Sequence, residues 1–171
     1  MLGLSLIFVG FTLAHNGVCI LKKVPPKNMA LQNVIMGTLL LVLNLISVAG
    51  IDAAAADSAV LFGYAAQGLL FAVTYFLLAA SLFFGLDFRV VGWYGLFAAL
   101  NAVLFSILEF TSDGGWWFMG ALWAAWFLLW FQMFLDNNCK LKFANKIGPY
   151  LLIFEGIFAT WLPGLYFLFF M

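Results

Sequence analysis

The sequence predicts an all-α polytopic membrane protein with six transmembrane helices, and three features support this fold class. Hydrophobic residues make up 67% of the 171 residues and charged residues only 8%, a composition typical of a chain that is covered by lipid. The apolar runs are continuous rather than alternating, which favours helices over the strands of a membrane barrel. Six of these runs have about 20 residues, the length that a helix needs to cross the hydrocarbon core.

The six predicted spans take up most of the sequence, which is predicted to form one domain of residues 1–171. Turn-forming or charged residues mark where each span ends. The first span has no basic region before it and is followed by Lys22 and Lys23, which indicates a retained helix rather than a cleaved secretory signal. Later boundaries carry turn-forming or charged residues: Pro25 and Pro26, the turn 52–57, then 85–89, 111–114 and the polar stretch 136–147. The predicted spans, in chain order, are 1–21, 29–50, 58–84, 90–110, 115–135 and 148–170.

The basic residues predict the orientation, because all seven lie on alternate connections. The connections between spans 1 and 2, 3 and 4, and 5 and 6 contain Lys22, Lys23, Lys27, Arg89, Lys140, Lys142 and Lys146. The other two connections contain only acidic charges. By the positive-inside rule the basic connections face the cytoplasm, so both termini are predicted to lie on the external side.

The positions of the two external connections suggest how the helices are grouped into pairs. Cuts after residues 57 and 114 fall in the two external connections and divide the chain into equal thirds. Each third would enter the membrane, turn in the cytoplasm and return, which predicts three helical hairpins around a common axis.

Glu155 is the most informative polar residue within the spans. It lies seven residues after Gly148, about 10 Å into the membrane at 1.5 Å per residue, and intramembrane carboxylates are a functional hypothesis by default. The alternative is that Glu155 is protonated or paired and only ties helices together. His15 lies at a similar depth on span 1 beside Asn16, so these two are either pore groups or helix ties, and His15 could meet Glu155.

Large aromatic residues form a second candidate site. Trp123, Trp126 and Trp130 lie on one face of span 5, deep in the membrane, where their indole N–H groups need polar partners. Ordinary core packing is the alternative for such a stripe. A planar neutral solute such as urea could slide between aromatic faces, whereas ions would find no replacement for their hydration shells. Span 3 carries residues that could face these tryptophans: Phe71, Thr74 and Tyr75.

The sequence resembles a known protein family along almost its whole length. The matching segments, in order, are MLGLSLIFVG, HNGVCILKKVPPK, GLLFAVTYFLLAASLFFGLDFRVVGWYGLFAALN, ALWAAWFLLW and LIFEGIFATWLP. They are similar to the family of acid-gated urea channels and amidase-associated amide transporters.

The resemblance implies a passive channel for urea or short-chain amides in the bacterial cytoplasmic (inner) membrane. Each six-helix protomer would have its own pore, and six protomers would form a hexameric ring around a central lipid plug. A cytoplasmic urease or amidase would use the solute; neither a cofactor nor nucleic acid is implied. By matching motif positions, the pore-lining residues would be Phe71, Tyr75, Trp123, Trp126, Leu129, Trp130 and Glu155.

One departure from the family bears on gating. Acid-gated members carry long external loops with histidines, whereas the external connections here are short and contain no histidine. Carboxylates ordinarily titrate near pH 4, so acidic residues alone would sense only strong acid. The sequence therefore predicts a pore that is open at neutral pH. His15 replaces a small polar residue of related sequences, so the resemblance assigns it no role.

Two other functions are compatible with the sequence. A small tryptophan-rich membrane sensor would hold a ligand in the aromatic pocket, and an intramembrane enzyme would use Glu155 and His15 as acid and base. The sequence contains one histidine and no nucleophile or metal-ligand cluster, so it predicts neither a metal site nor catalysis. It does not separate urea from amides as the permeant, since one methyl group changes discrimination by only about 1 to 3 kcal/mol.

Overall fold

The structure, a computed structural model, describes all 171 residues and contains six long helices. Each helix is long and apolar enough to cross a membrane. The prediction of an all-α protein with six spans is therefore confirmed. The helices are α1 (Leu2–Leu21), α2 (Pro26–Ala49), α3 (Ser58–Phe84), α4 (Arg89–Thr111), α5 (Trp117–Asn137) and α6 (Lys142–Phe169).

Three helices start two or more residues away from the predicted position, each for a local reason. Helix α2 begins at Pro26 rather than at residue 29, because the fixed φ of proline suits the first helical position. Helix α5 begins at Trp117 rather than 115, because Gly114 has a φ of +89° and Trp116 is extended. Helix α6 begins at Lys142 rather than 148, since polar residues extend it beyond the apolar stretch that hydropathy detects.

The closest helix pairs are α2 with α3, α4 with α5, and α1 with α6. The predicted hairpin partners, α1–α2, α3–α4 and α5–α6, also touch but pack more loosely. Small residues account for the difference, since helices in membranes approach most closely where side chains are small. On α4, the fully buried Ala98, Ala99 and Ala102 allow α5 to lie against the helix.

Glycines bring the backbones of α1 and α6 together. Gly3, Gly10 and Gly17 are seven residues apart and therefore share one face of α1. A Cβ added to Gly10 would lie 2.5 Å from the carbonyl oxygen of Gly156, and one added to Gly156 would lie 2.7 Å from that of Gly10. Neither position has space for a side chain, so the two terminal helices form one closely packed pair.

The middle of α6 is a π-helical segment, Glu155–Trp161. Within it the Thr160 hydroxyl donates to the Glu155 carbonyl at 2.8 Å, and the Leu162 N–H donates to the carbonyl of Ile157. Pro163 follows directly and has no N–H to continue the ordinary helical pattern. Such segments are rare and occur frequently at functional sites, and this one begins at the buried Glu155.

Candidate functional site

The aromatic stripe of α5 faces the protein interior. Trp123, Trp126 and Trp130 are each 2% exposed. Their rings surround Phe71 of α3, with ring centroids 6.2, 5.1 and 4.7 Å from that of Phe71 in the same order. We call these four residues the aromatic cluster. It joins α3 to α5 in the buried interior of the helix bundle.

Trp130 is held in place by a hydrogen-bond chain that begins at its indole. Its Nε1–H donates to Thr74 Oγ1 at 3.0 Å, and the Thr74 hydroxyl donates to the Leu70 carbonyl at 2.8 Å. Tyr94 of α4 donates to the same carbonyl at 3.0 Å. Thr74 therefore contacts the aromatic cluster through Trp130 and fixes the orientation of that ring.

Several buried polar atoms in the interior of the helix bundle, some of them in the aromatic cluster, have no hydrogen-bond partner. The indole N–H groups of Trp123 and Trp126 and the hydroxyl of Tyr75 are in this position, as are both carboxyl oxygens of Glu155. Leaving such groups unpaired in an apolar interior costs about 1 to 3 kcal/mol each. The interior of the bundle thus presents unpaired donors on the aromatic cluster and Tyr75 and unpaired acceptors on Glu155, a combination that suits a small polar solute.

Glu155 reaches the interior from the sixth helix. It is 1% exposed and stands at the first position of the π-helical segment, which packs against both α1 and α5. No cationic side chain forms an ion pair with it; the single ion pair of the protein joins Arg89 and Asp87. Its oxygens are therefore available to accept hydrogen bonds.

A second group of buried apolar side chains packs beside the aromatic cluster, on the side of α1 and α2. Tyr75 and Leu129, both predicted site residues, pack there with two side chains of α1, Val9 and Leu13. Phe71 touches this group as well as the aromatic cluster. The sequence analysis missed the residues of α1, although the spacing of three and four between Leu6, Val9 and Leu13 indicates a common inward face.

Neither His15 nor Asn16 forms a hydrogen bond with the Glu155 carboxyl group, whose two oxygens have no partner. Asn16 and Asn33 exchange two amide hydrogen bonds of 2.9 Å each, which tie α1 to α2. The His15 ring stacks on Phe11 and lies 3.3 Å from the Cys19 sulfur through Nε2. The expectation that His15 could meet Glu155 is thus not met, because His15 points towards its own helix and the α1 surface.

Helix α4 contributes a residue that the sequence analysis did not single out. Phe105 packs against Trp123 with a centroid separation of 4.8 Å. It extends the aromatic wall towards the end of α5 that begins at Trp117. The only signal in the sequence is the neighbouring run of small residues on α4, which brings that helix close enough for the contact.

Comparisons with known proteins identify the family of this chain. A family model described as AmiS/UreI family transporter matches residues 1–170. The chain belongs to the AmiS/UreI family. It is therefore a multi-pass membrane protein of a transporter family and not an enzyme, and neither the membrane-sensor nor the enzyme alternative is supported.

Relatives within the AmiS/UreI family share most of their length with this chain. The acid-activated urea channel of Helicobacter pylori is 37% identical over 189 residues, covering 96% of this chain and 95% of that protein. A Mycolicibacterium smegmatis protein described as a transporter of amidate substrates is 33% identical, covering 95% and 74%. The cryo-EM structure of the H. pylori urea channel in its closed state superposes with a TM-score of 0.87 at 37% identity, covering 98% and 97%.

Proposed function

We propose that this protein is a passive channel through which urea or short-chain amides cross the membrane. The observation that carries the proposal is the pair of unpartnered indole donors in the aromatic cluster together with the unpartnered carboxyl oxygens of Glu155 inside the same helix bundle. Urea and amides are planar and neutral, and they present both a carbonyl acceptor and N–H donors. The named functions of the two relatives agree with this choice of solute.

The mechanism follows from the chemistry of these atoms. The indole N–H groups of Trp123 and Trp126 donate to the carbonyl oxygen of the solute, and Glu155 accepts from its N–H groups. The ring of Phe71 packs edge-to-face against Trp126, and such an apolar constriction offers ions no replacement for their hydration shells. Since each contact is a single hydrogen bond or a ring face, no position holds the solute tightly, and net movement follows its concentration gradient.

The assembly and orientation belong to the same proposal. We place the protein in the bacterial cytoplasmic membrane as a homo-hexamer with one pore per protomer and lipid in the centre of the ring. Both termini lie outside, because the seven basic residues lie on the opposite face. A cytoplasmic urease or amidase would consume the solute and so maintain its inward gradient.

The pH response is expected to differ from that of a channel opened by external histidines. The external connections, residues 50–57 and 112–116, contain no histidine. The alignment with the H. pylori channel spans 189 positions against 171 residues here, so that relative carries residues that this chain lacks. We expect equal urea flux at pH 5 and pH 7.5 in proteoliposomes; a large rise at pH 5 would refute this part of the proposal.

Replacement of Trp126 with alanine tests the aromatic cluster. Removing this ring leaves more room beside Phe71, so the ratio of urea flux to the flux of bulkier amides should fall. We expect a fall on the order of tenfold, which is the lower end of the discrimination that apolar pockets achieve for one methylene group. Stopped-flow swelling of proteoliposomes with urea and with butyramide measures both fluxes. The matched control is Trp117→Ala, since Trp117 is 68% exposed at the start of α5 and its loss should leave the ratio unchanged. If wild-type protein gives no acceleration over empty liposomes, the channel function itself is wrong.

A further inference from the structure

A polar cleft lies on the face of the protein opposite to the termini, outside the aromatic cluster. It has a volume of about 490 Å³ and lies between the α3–α4 connection and the start of α6. None of its lining residues belongs to the aromatic cluster. The lining residues are Phe88, Asp136, Asn137, Lys140, Lys142 and Asn145.

The charges that face the cleft leave it positive. Lys140 and Lys142 form no ion pair, and the single carboxylate among the lining residues, Asp136, accepts a hydrogen bond from Asn145 at 3.4 Å. Lys146 follows Lys142 by one helical turn on the same exposed face of α6.

The neighbouring arginine does not add to this charge. The Arg89 Nε donates to Asp87 at 2.7 Å, and its guanidinium forms an ion pair with the same carboxylate. These contacts, with a smaller contribution from the charge of Lys140, lower the pKa of Asp87 to about 2. Arg89 and Asp87 therefore neutralise each other at physiological pH, and the free positive charge of the cleft belongs to the lysines.

Exposed apolar side chains stand directly beside the lysines. Leu141 is 46% exposed and Phe143 is 71% exposed, at the point where the polar start of α6 meets its apolar span. An amphipathic helix start with lysines and a large ring at this level is typical of the boundary between lipid headgroups and acyl chains. A soluble anion would not need the exposed ring, whereas a phospholipid meets both features at once.

We propose that this cleft binds the headgroup of an anionic phospholipid. Lys140 and Lys142 contact the phosphate. The amides of Asn137 and Asn145 each donate one N–H within the protein and use the second for headgroup oxygens, and the exposed Phe143 packs against the acyl chains. The site is independent of the solute that crosses the pore, so its test can fail while the channel function stands.

The test compares two double variants of the full-length protein, Lys140→Gln with Lys142→Gln, and Lys22→Gln with Lys23→Gln. Both remove two positive charges from the same face, and Lys140 and Lys23 share a backbone φ of +54°, so the substitutions are matched in charge and in conformation. Native mass spectrometry and thermal unfolding in neutral detergent follow the titration with phosphatidylglycerol, phosphatidylcholine or inorganic phosphate.

We expect phosphatidylglycerol to bind and stabilise wild-type protein and the Lys22/Lys23 variant. The Lys140/Lys142 variant should bind it about 25-fold more weakly, since a lysine near the membrane surface contributes about fivefold. Asp136→Asn should strengthen binding, which separates loss of charge from loss of folding. An equal loss in both double variants, equal binding of phosphatidylcholine, or the same response to inorganic phosphate would each overturn the proposal.

Discussion

Replacing Gly10 with alanine is expected to lower the thermal unfolding midpoint of the protein by about 10 °C. The added Cβ would lie 2.5 Å from the Gly156 carbonyl oxygen and 2.6 Å from the Trp161 backbone nitrogen, so only movement of backbone can relieve the contact. Overpacking of this kind costs about 3 kcal/mol. One kcal/mol shifts the midpoint by about 3 °C in a domain of this size, which gives the expected change.

Gly63→Ala is the matched control for this substitution. Gly63 lies on α3, and a Cβ added there meets no atom within 4 Å. Alanine stabilises a helix by up to about 1 kcal/mol relative to glycine, so this variant should unfold at the same temperature as wild type or higher. Thermal unfolding in detergent, followed by tryptophan fluorescence, compares the two. If Gly10→Ala behaves like Gly63→Ala, the close packing of α1 on α6 is wrong.

The same glycines show why the sequence predicted the spans but not their pairing. Long apolar runs are sufficient to place six helices, because hydrocarbon thickness sets their length. Which helices pack closely depends on a few small residues, such as Gly10 and Gly156, that are far apart in the chain. For this reason the connections between consecutive helices did not predict which helices pack most closely. Helices α1 and α6 pack closely without any connection between them.

The residues of the candidate site could likewise be predicted from the sequence, but most of their contacts could not. The spacing of Trp123, Trp126 and Trp130 predicts a common face, and that face lies inward in the structure. The partner of each indole could not be predicted, because the hydrogen bond from Trp130 to Thr74 joins residues 56 positions apart. Equal depth on two spans did not bring His15 to Glu155 either, since depth says nothing about the direction in which a side chain points.

Replacing Glu155 with leucine is expected to lower urea flux on the order of tenfold while leaving the protein as stable as wild type or more so. Both carboxyl oxygens are buried without partners, so an apolar side chain of similar size removes an unsatisfied polar group. The permeating solute, however, loses the acceptor for its N–H groups. An N–H group left without an acceptor in an apolar interior costs about 1 to 3 kcal/mol, and 1.4 kcal/mol corresponds to a factor of ten in rate.

Glu155→Gln separates permeation from a purely structural role, because glutamine keeps one carbonyl acceptor and nearly the same volume. If Glu155 serves the solute, urea flux should fall in the order wild type, glutamine, leucine, and stability should not follow that order. If Glu155 only tied helices together, leucine would lower the unfolding temperature, and flux per folded protein would be unchanged. Stopped-flow urea flux and thermal unfolding, measured on the same preparations, distinguish these outcomes, since only a solute-contacting acceptor makes flux fall while stability is kept or rises.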